Sequence, residues 1–143
     1  SWLVWLEADP ARDRALLDSA RADLERATQI APRQAGAWAS LSHLYNQTAT
    51  SADVQIAAQR ALEADEFLAN ADEIIGRLFT TAYDLGQFDR AEQWCTTLGS
   101  RFPTNALAAR CRLYQLTTRL HPPDVARAWR LADSTLAVTA PTQ

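Results

Sequence analysis

Trp38-Ala39-Ser40-Leu41-Ser42-His43-Leu44-Tyr45 and, beyond a polar turn, Ala58-Gln59-Arg60-Ala61-Leu62-Glu63-Ala64-Asp65 decide the fold. In the first segment Trp38, Leu41, Leu44 and Tyr45 recur at three- and four-residue steps, which puts one apolar stripe on a helix. The second segment presents Ala58, Ala61 and Leu62, a helix with a packing face of mostly small side chains. The run Asn46-Gln47-Thr48-Ala49-Thr50-Ser51 turns the chain between them. The unit is therefore a helical hairpin.

The small-residue pattern repeats. Val54, Ala58, Ala61 and Glu66 stand 34 residues after Ala20, Leu24, Ala27 and Pro32. Ala91, Cys95, Leu98 and Pro103 follow 37 residues later, and Ala128, Ala132, Thr135 and Ala140 another 37. Small or medium residues at the first three positions let two helix axes approach closely. A fixed period of this length signals stacked hairpins. The three extra residues of the third unit fit the connection between Glu66 and Ala71.

Seven helices are predicted, over 10–32, 34–47, 52–64, 71–85, 89–102, 105–120 and 124–138. Asp9-Pro10 is a helix start, Gly86 a helix stop, and Pro103 and Pro122-Pro123 are breakers. The 28 Ala agree with this, and four Gly with no Asn-Gly or Asp-Gly argue against hairpin strands.

Composition narrows the rest. An apolar share of 48% with 22% charged residues excludes global disorder. A length of 143 residues suits one domain or a short array with a real core. Fourteen Arg, no Lys and 17 acidic residues give a net charge of −3, the wrong sign for general nucleic-acid binding. No run approaches the roughly 18 apolar residues of a membrane span. Two Cys are too few for a disulfide framework. The chain lacks Met and opens on Trp2-Leu3-Val4-Trp5-Leu6 without helix-start or signal-peptide features. It closes on the linker-like Thr139-Ala140-Pro141-Thr142-Gln143. These features predict a segment cut from a longer protein.

The spacing resembles the tetratricopeptide repeat family over nearly the whole chain. Trp38-x2-Leu41-Ser42-x2-Tyr45 is similar to the family's first-helix signature, with Ser42 where Gly is usual. Ala58-x2-Ala61-Leu62-x2-Asp65 is similar to its second helix. Leu85-Gly86-Gln87-Phe88-x2-Ala91 is similar to its turn, and Phe102-Pro103 to its end. The outer repeats depart from the pattern: Pro10 interrupts the first, and the fourth carries Pro122-Pro123 in its turn.

The resemblance implies an all-α, right-handed superhelical solenoid of antiparallel helix pairs. The chain is then a single domain over 1–143, with repeats near 1–34, 35–68, 72–105 and 106–141. First helices would line a concave face and second helices a convex one. Such proteins are non-catalytic scaffolds that hold a peptide or partner protein.

Counting along the first helices gives the candidate groove. His43, Asn46 and Gln47, with Ala39, come from the second repeat, and Glu73, Thr80, Tyr83 and Asp84 from the third. Arg110, Tyr114 and Thr117 come from the fourth. An amide such as Asn46 can pair a donor and an acceptor of a peptide backbone; the plainer reading makes Asn46 and Gln47 helix-end residues. With no Lys and only Arg77 nearby, a clamp for acidic chaperone tails is not expected.

No catalytic, cofactor or metal site is expected. His43 and His121 are isolated, and no His, Cys and Asp share metal-ligand spacing. Cys95 sits at a packing position and reads as a buried inert thiol, with no His placed to activate it or Cys111. The acidic stretch Glu63, Asp65, Glu66, Asp72, Glu73 reads as a solvated turn. Trp38 and Trp94 read as core, and Trp2 and Trp5 as packing on the first complete helix. An exposed Trp129 would make the array's end adhesive, opening self-association through the ends. The Ala- and Arg-rich character is similar to repeat tails of bacterial Ser/Thr kinases. That suggests, as an alternative, a regulatory or sensory module beside a kinase or transcription regulator, in the cytoplasm.

Overall fold

The structure, a computed structural model, describes residues 10–139. The expectations for Trp2, Trp5, the 1–9 segment and the 140–143 tail lie outside the described residues. Seven helices follow one another: α1 (Pro10–Ile30), α2 (Ala35–Thr48), α3 (Ser51–Ala64), α4 (Ala71–Asp84), α5 (Phe88–Arg101), α6 (Ala106–Gln115) and α7 (Val125–Thr139). Among the described residues there is no strand.

Local chemistry sets the boundaries. Thr50 and Asp53 form a reciprocal capping box at the start of α3, which satisfies two N–H groups that a helix start leaves open. Asn105 caps α6 by accepting from the N–H groups of Leu107 and Ala108, and its own amide donates to Asp72 at 3.1 Å. Gly86 follows α4 with φ of +69°, a conformation that disfavours any side chain.

Each helix packs on the next in order, and α4 also packs on α6. The core centres on α4, whose Ile74, Ile75, Leu78, Phe79 and Ala82 are fully buried. Gly76 permits the approach of α6: a Cβ there would stand 2.9 Å from Leu107 Cδ2.

The repeated positions pack as their spacing requires in the middle of the chain. Val54, Ala58 and Ala61 are buried, as are Ala91, Cys95 and Leu98. In the outer units the same positions, Thr135 excepted, are more open, because fewer helices cover them. The apolar stripe of α1 is the clearest case. Leu16 is 59% exposed, and residues 11–20 are exposed throughout. The less exposed residues of α1 lie in its later turns, where Tyr45 of α2 donates to Glu25 at 2.8 Å.

That joint is sensitive to alkali. Burial first, and then the bond to Glu25, push the Tyr45 phenol up to about 12. The folded value lies above the unfolded value of about 10, so the stabilisation is complete below it and is lost as pH rises toward 12. In an ultraviolet titration, one phenol should ionise about two units late, and Tyr45→Phe should remove that transition. An unshifted Tyr45 would mean the joint does not form.

Two expectations are corrected. Cys95 and Cys111 are not inert thiols: they are joined as a disulfide, with Cα atoms 5.7 Å apart. The bridge is possible because α5 and α6 lie side by side with both residues on the facing surfaces. In addition, α6 ends at Gln115, well before residue 120. From Leu116 to Thr118 the N–H groups reach back three residues instead of four, to Leu113, Tyr114 and Gln115. The Thr117 and Thr118 hydroxyls donate to the Tyr114 and Gln115 carbonyls and hold that tightened turn closed.

Candidate functional site

The face shared by α2, α4 and α6 carries most of the sequence-predicted groove residues. Glu73, Arg77, Thr80 and Asp84 fall at four- and three-residue steps on α4 and so form one stripe.

At the α2 side of the stripe, Arg77 is the hub. Its guanidinium donates to Ser42 Oγ at 3.1 Å, to His43 Nδ1 at 2.8 Å and to Glu73 at 3.2 Å. Burial pulls Arg77 below the usual arginine value, and Glu73 opposes that pull. Arginine only donates, so in this contact His43 Nδ1 is the acceptor. Gln47 Nε2 lies 3.4 Å from His43 Nε2, one turn along α2.

At the α6 side, Tyr83 and Tyr114 stand 5.9 Å apart between ring centroids, with Phe79 beneath both. Phe88 meets Tyr83 edge-on at 5.7 Å, and Arg119 lies over Phe88. Thr117 gives its one proton to the Tyr114 carbonyl, so the 2.7 Å contact with Tyr83 is a donation from the phenol. Tyr114 is 46% exposed.

The remaining candidates are more scattered. Asn46 and Asp84 are exposed at the ends of their helices. The last turn of α2 is closed by Thr48, whose hydroxyl donates to Leu44, and by the Ala49 N–H on Tyr45. Thr80 donates to the Gly76 and Arg77 carbonyls within its own helix. Arg110 Nε donates to the Ala106 carbonyl. Ala39 is buried in the core beside Ile74 and Leu78.

Sequence reasoning left out Arg77 and Phe88 as site residues. The signal for Arg77 was its place four residues after Glu73, on the same stripe. Its buried stem carries the charged head across to α2. The acidic stretch is tied down more than a solvated turn would be. Asp65 accepts from the Phe67 N–H, Asp72 from Asn105, and the Glu66 carbonyl from Arg101.

Among the described residues, no cluster of three or more His, Cys, Asp or Glu could hold a metal ion, and no helix is long and apolar enough to cross a membrane. No protein-family model matches the chain, and no curated protein matches it.

Proposed function

We propose that the chain is a tetratricopeptide-type solenoid and that it holds a peptide or partner protein on the α2–α4–α6 face. Three things support the solenoid. Helices pack in chain order. Side chains bond across about one repeat, as in Ser42–Arg77, Asp72–Asn105 and Tyr83–Thr117, at separations of 35, 33 and 34 residues. The buried small residues recur with the same period.

The observation that carries the binding role is the half-exposed pair Tyr83 and Tyr114 beside the ordered Arg77–His43–Glu73 group. Rigid aromatics backed by a buried ring, next to a fixed cation, are the anchors that dominate protein interfaces. On this face His43 Nδ1 is engaged by Arg77, which suits a scaffold better than a catalyst. The Cys95–Cys111 bridge favours an oxidising compartment over the cytoplasm, where thiols are kept reduced.

Selection of a random displayed peptide library against the chain tests this. Enriched peptides should lose about tenfold or more in affinity for the Asn46→Ala/Tyr83→Ala double variant, checked for native helicity by circular dichroism. Equal binding to both proteins, or no enrichment, would overturn the proposal.

A further inference from the structure

The helix α7 packs on α6 through one side. Thr135 on that side donates to the Ala109 carbonyl at 3.2 Å, and Leu131 and Val138 line a cleft with Gly99, Ala108 and Ala109. The opposite side carries Val125, Trp129, Ala132 and Leu136, which the helical period places on one stripe. Val125, Trp129 and Leu136 are 71%, 68% and 65% exposed. Single exposed apolar residues are ordinary, but a contiguous stripe marks an interaction surface.

The order of these residues decides what covers the stripe. The steps along it are four, three and four, the same read from either end. A half-turn about the midpoint between Trp129 and Ala132 therefore superposes the stripe on itself. It lays Val125 of one copy on the partner's Leu136, and Trp129 on the partner's Ala132. The wide indole meets a small side chain, and the two aliphatic side chains meet each other, which is the alternation that close helix packing needs.

Charge obeys the same symmetry. Arg130 and Asp133 are exposed on one flank of the stripe, and neither has an ion-pair partner among the described residues. In an antiparallel pair related by a two-fold axis, like flanks meet. The half-turn brings the partner's Asp133 to within two residues of Arg130 along the axis, a rise of roughly 3 Å, and symmetry forms the reciprocal pair.

We propose that α7 is a self-docking surface, through which two copies of the chain pair antiparallel about a two-fold axis. The stripe presents on the order of 400 Å² of apolar surface per copy, so pairing buries roughly 800 Å² before the charged rim is added, below a standard stable interface of about 1,600 Å². The dimer is accordingly weak and concentration-dependent. It is also closed, whereas a contact between α7 and the exposed α1 of the next copy would repeat without end.

Sedimentation equilibrium of the 143-residue chain, from about 10 μM to about 1 mM, tests this. A monomer–dimer equilibrium with a dissociation constant on the order of 100 μM is expected. Trp129→Glu, at an exposed position, should weaken pairing at least about tenfold without loss of helicity by circular dichroism. Arg130→Asp and Asp133→Arg should each weaken it about tenfold, because like charges then face each other. Mixed in equal amounts, these two variants should pair with each other at least as tightly as the unaltered chain, since an acidic flank then meets a basic one. A chain that stays monomeric at about 1 mM overturns the proposal, and so do species larger than a dimer. Single variants that pair normally, or a mixture that fails to pair, overturn it as well.

Discussion

Phe79→Ala should destabilise the fold by about 3–5 kcal/mol, the range for emptying a large aromatic site in a packed core. Phe79 is 1% exposed, contributes to the core cluster with Ala82, Ala91, Cys95 and Cys111, and lies under Tyr83 and Tyr114. Its loss removes contacts to three helices at once and leaves both tyrosines without a floor. Urea denaturation reads the stability. Near-ultraviolet circular dichroism reads the tyrosines, whose signal should collapse even where far-ultraviolet helicity survives. A loss below about 1 kcal/mol would mean that the site collapses around the gap and that α4 is not the centre of the core.

Opening the Cys95–Cys111 bridge has the second-largest expected effect. The bond closes a loop over a separation of 16 residues, and cross-links of that span restrict the unfolded chain by about 3 kcal/mol. For a chain of this size the melting temperature should fall by on the order of 10 °C in dithiothreitol. The Cys95→Ala/Cys111→Ala variant should melt low with or without reductant. Labelling of the unfolded, unreduced protein with a thiol reagent should find no free thiol. Labelling of both cysteines, or a melting temperature indifferent to reductant, would show that the two sulfurs are not joined.

The helices were legible because two independent signals agreed: the three-and-four stripe around Trp38, Leu41 and Leu44, and the stops at Gly86 and Pro103. The buried small residues at 58, 61 and 91 were legible because a close crossing tolerates little else. The end of α6 was hidden. Leu116, Thr117, Thr118 and Leu120 continue a helical pattern, and the turn that replaces it rests on two hydroxyl bonds to nearby carbonyls. The bridge was hidden for a related reason. A separation of 16 residues places two thiols on neighbouring helices but does not fix their rotation. That rotation is a fact of tertiary packing. Of the groove, the tyrosines could be found by counting. Arg77 falls on the same count, four residues after Glu73, but its bonds to α2 depend on where a long side chain bends.

The disulfide also sets an order of events. It fastens α5 to α6 in the second half of the chain, whereas α1 packs on α2 at the other end. A stack of neighbour-to-neighbour contacts frays from its weakest end. The covalent rivet lets opening advance from α1 through α2 and α3 while the riveted pair stays registered. The chain would then close again from that surviving template and would not have to nucleate afresh.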